Sequence, residues 1–150
     1  MYDFQDKTLL LTGANGGIGR EVAKLFYAHG ANLVLTDIDL AGLEAFAQSL
    51  GGDVAQRVVT LRMDAANPED AQRAVDAAQS RFGGIDYLVP SAGMYLAQPV
   101  REMTDAQWRQ TLSVNLDGVF YLCQRAIPLL REGSAIVHLS SLAAHRGAYY

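Results

Sequence analysis

Cysteine is nearly absent, with Cys123 the single one in 150 residues. That excludes an internal disulfide and a cysteine-rich zinc site. Long apolar runs are missing as well, and no stretch approaches the ~18 apolar residues of a membrane span. The opening Met-Tyr-Asp-Phe-Gln-Asp-Lys lacks the basic-then-apolar order of a secretory signal. There is no excess of positive charge: the formal net charge is −4, which argues against nucleic acid as the main partner. Internal repeats and low-complexity linkers are also absent. These absences predict a cytoplasmic, soluble protein, with no nucleic acid and no membrane as partner. At 50% hydrophobic residues and 19% charged, the chain is too apolar for disorder. Its length suits one core, so residues 1–150 read as a single domain.

Apolar runs alternate with helical patterns from start to finish. Thr8 to Thr12 reads as a buried strand, followed by a glycine-rich turn from Gly13 to Gly19. A helix follows from Arg20, with Val22, Ala23, Leu25, Phe26 and Tyr27 on one broad face and Gly30 as its stop. Asn32 to Thr36 is a second strand, and Leu40 to Leu50 a helix with Asp39 as N-cap. Val58 to Arg62 is a third strand. Asn67 then caps a helix that has Pro68 at its first position and continues to about Phe82. Asp86 to Val89 is a fourth strand. Thr104 to Gln107 forms a capping box that opens the longest helix, to about Leu130, and Ala135 to Leu139 is a fifth strand. This alternation predicts an α/β fold: a Rossmann-type, doubly wound parallel sheet with helices on both faces. The expected strand order is 3-2-1-4-5, with a ligand crevice at the carboxyl ends of the first and fourth strands.

The segment Thr12-Gly13-Ala14-Asn15-Gly16-Gly17-Ile18-Gly19 lies between the first strand and first helix. Gly13 suits the tight turn, Gly17 close approach of the backbone to a pyrophosphate, and Gly19 close helix–strand packing. The helix N-terminus then offers free N–H groups to the phosphates. It is not an ATP-type loop, because no Gly-Lys-Ser/Thr follows. Asp37 stands 18 residues after Gly19, at the end of the second strand. A carboxylate there accepts hydrogen bonds from an adenosine ribose and repels a 2′-phosphate. The turn has no Lys or Arg before Gly19 to offset that repulsion, and Arg20, at the helix start, is expected to point away. The competing role for Asp37 is helix capping, for which Asp39 is better placed. The predicted cofactor is therefore NAD, with Asn15, Gly16, Ile18 and Ile38 completing the contacts around the turn and Asp37.

With the motifs that follow, these residues resemble the short-chain dehydrogenase/reductase family. Thr-Gly-Ala-Asn-Gly-Gly-Ile-Gly is similar to its three-glycine turn, and Asp64-Ala65 to its adenine-contacting acidic residue. Ser91-Ala92-Gly93 resembles the end of its Asn-Asn-Ala-Gly motif, Asn115 its active-site asparagine, and Ser140-Ser141 its serine pair, with Ser141 in the catalytic position. The resemblance covers nearly the whole chain, in order. It implies hydride transfer between a nicotinamide and a secondary alcohol or ketone, in a homodimer or homotetramer. The serine would hold the substrate oxygen, and the asparagine would anchor a water of the proton relay. The alternative is a catalytically silent NAD-binding or scaffold protein.

Two departures stand out. Pro90-Ser91 replaces the usual Asn-Asn, so position 90 supplies no side-chain amide and no N–H. The family's Tyr-x-x-x-Lys motif would fall near positions ~151–155, past Tyr150, and the expectation is a longer polypeptide. Tyr149 and Tyr150 lack a following lysine and are poor substitutes, since a free phenol has a pKa near ~10. His29 and His138 read as core or surface residues, while for His145 and Arg146, which follow the serine pair, facing a substrate and lying in a solvated loop are both open. Met94, Tyr95 and Leu96 are expected to border the substrate entrance. Trp108, Leu112, Leu116, Val119, Phe120 and Cys123, at helical spacing, are expected to pack on the sheet, with an outer face toward a partner subunit.

Overall fold

Four short apolar runs and one mixed segment form five parallel strands in this computed structural model, which describes residues 2–146. They are β1 (Thr8–Thr12), β2 (Asn32–Asp37), β3 (Val58–Arg62), β4 (Ile85–Pro90) and β5 (Leu130–Ile136). The helices between them are α1 (Gly17–Ala28), α2 (Leu40–Ser49), α3 (Val54–Arg57), α4 (Pro68–Phe82), α5 (Asp105–Leu112) and α6 (Gly118–Ala126). The strand order is β3-β2-β1-β4-β5, the Rossmann-type doubly wound order that the alternation predicts.

Strand periodicity builds two cores. Leu10, Val34 and Leu88 point to one face, where α4 and α6 cover them with Ala71, Val75, Ala78 and Leu122. Leu9, Leu11, Leu33, Leu35 and Val89 point to the other, under α1 and α2 with Ala23, Leu43 and Phe46. β1 is buried along its whole length, as a strand covered on both faces must be. Each fully buried leucine contributes ~1.5–3 kcal/mol. Asp86 ties three strands together at their amino ends. It accepts from Thr8 N–H at 2.8 Å and from Arg131 Nη1 at 2.6 Å, with Lys7 at 3.5 Å. The carboxyl ends are left for the site.

Several boundaries differ from those the sequence suggests. α1 begins at Gly17 rather than Arg20, because the glycines already adopt the first helical turn. β4 extends one residue each way, to Ile85 and Pro90, and Pro90 lies opposite Thr12 of β1. α3 carries too few residues to leave a periodic signal. The longest helix is not continuous: a π-helical stretch, Ser113–Asp117, separates α5 from α6, and a 3₁₀ turn, Ile127–Leu129, ends it. The fifth strand starts earlier than Ala135 and stops before Val137. Ile85 lies opposite Leu130 while Tyr87 lies opposite Ala135. Gly133, at φ +82°, provides the irregularity that absorbs the extra residues. His138 and Leu139 follow the strand instead of belonging to it. The apolar helical set is also divided differently. Gly118, Leu122 and Ala126 are the buried face of α6, whereas Trp108, Leu116 and Phe120 are exposed.

Candidate functional site

The glycine turn leaves β1 at Thr12 and enters α1 at Gly17. Gly13 sits at φ +64°, and a Cβ there would meet Ala92 Cα at 2.8 Å. Only glycine fits both constraints. A Cβ on Gly19 would collide with the Gly13 carbonyl oxygen and lie 2.8 Å from Ala14 Cα, so this glycine packs the helix on the turn rather than on the strand. Gly17 differs from both: a Cβ there would meet nothing within 4 Å. No protein atom requires glycine at that position. Gly16 is the N-cap of α1 and supplies no side-chain cap, and Gly16, Gly17 and Ile18 are exposed. The first N–H groups of α1 therefore face outward without a side-chain acceptor.

Asp37 closes β2 beside this turn. Its Oδ2 accepts from Asn15 N–H at 3.0 Å and its Oδ1 from Asp39 N–H at 3.1 Å. Asp39, not Asp37, caps α2, accepting from Gly42 N–H at 3.1 Å. Arg20 does not point away. It folds back on the turn, donating from Nε to the Asn15 carbonyl at 2.9 Å and from Nη2 to Asn15 Oδ1 at 2.6 Å. The guanidinium lies over the Phe46 ring, 5.1 Å from its centre. Helix α2 brings that ring to the position, and the sequence around Arg20 contains no sign of it.

Beyond β4, Ser91 N–H and Ala92 N–H both donate to Thr12 Oγ1 at 3.1 Å. Thr12 belongs to no recognised site position in the sequence, although a hydroxyl at the last position of a strand before a glycine turn is the available signal. Asn115 lies in the π-helical stretch, and its amide grips Met94 by both backbone groups. A Cβ on Gly93 would come within 3.1 Å of Asn115 Oδ1, so Gly93 lets that loop lie against the helix. Asp64 Oδ1 accepts from Ala66 N–H at 2.9 Å, and its own N–H donates to Asp70 at 2.8 Å, which fixes the turn after β3.

Gly13, Asp37, Ile38, Asp64, Ala65, Ala92 and Gly93 converge on one cavity of about 310 Å³, a volume in the range of small-molecule sites. Thr12, Thr36, Met63, Ala66 and Met94 complete its walls, with Gln110, Ser113 and Val114 from α5 and the start of the π-helical stretch. No motif announces these last three, since a π turn shifts the helix face without changing the residue pattern. Asn15, Gly16, Gly17, Ile18, Gly19 and Ser91 border the turn and the β4 end without lining the cavity. Asn115 stands behind Met94. Ser141 follows β5 as the cap of a short 3₁₀ turn, accepting from Ala143 N–H at 3.2 Å. It is exposed, as are His145 and Arg146. Tyr149 and Tyr150 lie outside the described residues. Among those residues, no group of His, Cys, Asp and Glu is arranged to hold a metal, and no helix is long and apolar enough to cross a membrane. Cys123 is half-buried on α6, away from the cavity, and burial pushes its thiol pKa up.

Residues 13–149 match a family model described as enoyl-(acyl carrier protein) reductase. The chain belongs to the short-chain dehydrogenase/reductase family. Within that family it is 38% identical over 147 residues to D-threitol dehydrogenase of Mycolicibacterium smegmatis, covering 95% of this chain and 56% of that protein. It is 39% identical over 136 residues to galactitol 2-dehydrogenase (L-tagatose-forming) of Cereibacter sphaeroides, covering 89% of this chain and 52% of the other. A short-chain dehydrogenase/reductase of the glucose/ribitol dehydrogenase type from Brucella melitensis superposes with a TM-score of 0.96 at 61% identity, over 99% of this chain and 62% of that one. A blue fluorescent protein from a metagenomic library, in complex with NADPH, superposes at 0.87 with 27% identity, over 97% of this chain and 60% of the other. The chain thus spans a little over half the length of the curated relatives it matches.

Proposed function

We propose that this short-chain dehydrogenase/reductase chain carries the cofactor site of an oxidoreductase that moves a hydride between NAD(H) and a secondary alcohol or ketone. Polyols are the substrate class, on the names of the two dehydrogenases above. The observation that carries the cofactor choice is Asp37, held at the cavity wall by two backbone N–H groups. A carboxylate fixed there has lone pairs left for a ribose diol and repels a 2′-phosphate.

The residues present fit a dinucleotide. The open space at Gly17 and the uncapped start of α1 suit a pyrophosphate, whose charge the helix dipole favours. Ile38 and the Asp64-Ala65 turn form the wall on the adenosine side. Ala92 and Gly93 present backbone at the end of β4, where Thr12 holds the strand exit in place. When bound, the nicotinamide supplies the hydride donor or acceptor. Ser141 would donate to the substrate oxygen, and Asn115 would hold a relay water beside the loop it grips. The exposed apolar side chains of α5 and α6 would meet a second copy of the chain, giving a homodimer or homotetramer.

The test is binding of NADH and NADPH to the purified protein, followed by nicotinamide fluorescence. NADH is expected to bind at least tenfold tighter, and Asp37→Ser to narrow the gap. Equal or tighter binding of NADPH would overturn the NAD reading and place this chain with the NADPH-bound neighbour.

A further inference from the structure

Asp37 does not stand alone at the cavity wall. Asn15 joins three elements: its N–H donates to Asp37, its Nδ2 donates to Asp39 Oδ2 at 3.1 Å, and its two carbonyl oxygens accept from Arg20. Asp39 in turn donates its own N–H to Asp37 and accepts from Gly42 N–H. The ends of β1 and β2 and the first turns of α1 and α2 are closed into one ring of hydrogen bonds.

Gly42 is the observation that makes this ring more than a set of surface contacts. It lies inside α2, where glycine costs roughly 0.5–1 kcal/mol relative to alanine. Its backbone is ordinary for a helix, so no positive φ calls for it. A Cβ there would strike Asp39 Oδ2 and approach Asn15 Nδ2 to 2.5 Å. The missing side chain is what leaves room for the Asn15–Asp39 bond.

We propose that Asn15, Arg20, Asp39 and Gly42 form a lock that sets cofactor choice through Asp37, a proposal resting on the NAD reading above. The lock acts in two ways. It holds the Asp37 carboxylate in one orientation at the cavity wall. It also holds Arg20: Nε and Nη2, along one edge of the guanidinium, donate to Asn15, and its face lies on Phe46, so its charge is held at the turn rather than at a phosphate beside Asp37. These are positioning residues that work through Asp37 and the turn.

The experiment measures the ratio of NADPH to NADH dissociation constants in the full chain and in Asn15→Ala, Gly42→Ala, Arg20→Ala and Arg20→Lys, with thermal unfolding of each. In Asn15→Ala and Gly42→Ala the ratio is expected to fall about tenfold, mainly through tighter NADPH binding by the released Arg20. For Gly42→Ala this should occur although alanine favours the helix. Arg20→Lys should lower the ratio as well, because a lysine cannot reproduce the paired Nε and Nη2 bonds to Asn15. Arg20→Ala should weaken NADH binding without improving NADPH binding. Folded Asn15→Ala and Gly42→Ala proteins that keep the parent ratio would overturn the lock while leaving the NAD reading intact. A parent protein that does not prefer NADH fails at the earlier step. Should Gly42→Ala fail to fold, Asn15→Ala alone decides, since its side chain is partly exposed.

Discussion

Asn115 holds Met94 by both halves of its amide, with Nδ2 donating to the Met94 carbonyl at 2.8 Å and Oδ1 accepting the Met94 N–H at 2.9 Å. The two residues are 21 positions apart in sequence. The side chain behaves as a short piece of strand, pairing with the loop that leaves β4. It does so from the π-helical stretch, where the helix departs from its regular winding. Replacing Asn115 by Ala should free that loop. Two exposed neutral bonds together are worth about 1 kcal/mol, or roughly 2–4 °C of melting temperature. Hydrogen exchange at the Met94 amide should quicken in step. An unchanged melting temperature and unchanged exchange would show that the loop is held by other contacts.

Thr12 should matter through its hydroxyl rather than its shape. Thr12→Val keeps the volume but leaves the Ser91 and Ala92 N–H groups without their acceptor. The expected cost is ~1–3 kcal/mol, because an orphaned, partly buried donor loses its water and gains nothing. Thr12→Ser should recover most of it. Denaturant unfolding of the three proteins measures this, and equal midpoints for Thr, Val and Ser would remove the hydroxyl from the account.

Gly17 and Gly19 should fail in opposite ways when substituted. Gly19→Ala drives a methyl into the Gly13 carbonyl and should lower stability sharply, with nucleotide binding lost as a consequence. Gly17→Val enters open space on the protein side and should leave the melting temperature within a few degrees. Its NADH affinity should nonetheless drop by tenfold or more, since the side chain occupies the pyrophosphate's approach. Circular dichroism and NADH titration of both variants separate the two effects. Normal affinity in a folded Gly17→Val protein would reduce the turn to a structural role.

Ser141 is predicted to act on substrate and not on nucleotide. Ser141→Ala should leave NADH affinity near its parent value and lower kcat by on the order of 10²–10³. Steady-state oxidation of polyols by a polypeptide that also carries the Tyr-x-x-x-Lys motif measures it. A variant that turns over normally would leave Ser141 only its observed task of capping the 3₁₀ turn.

Much of this molecule is legible in its residues, and for local reasons. Asn67-Pro68 and the Thr104–Gln107 box appear in the structure as the sequence places them, because a cap is decided by neighbours within one helical turn. Val58–Arg62 has the same bounds in both, being a run of Val, Val, Thr and Leu that follows Arg57 and closes on Arg62. Alternation and crossover handedness leave few strand orders, and the one chosen among them is the one the structure has. Seven of the candidate residues meet at one cavity because each motif ends a strand, and parallel strands bring their carboxyl ends to one edge.

Tertiary contact decided the rest. Arg20 looks like a solvent-facing helix residue until Phe46 and Asn15, from elements far along or behind it, offer its guanidinium a ring and two acceptors. Gly42 reads as a weak spot in a helix until Asp39 and Asn15 fill the space its side chain would take. The π-helical stretch at Ser113–Asp117 has no spacing of its own, and it became visible only with the helix packed beside Ala65 and Met94. The start of β5 depended on an irregular pairing with β4 that no run of apolar residues encodes. Short-range preferences act between residues a few positions apart and are written in the chain. The space left beside a glycine, the partner that captures a long charged side chain, and the register of a paired strand exist only once distant segments share a surface.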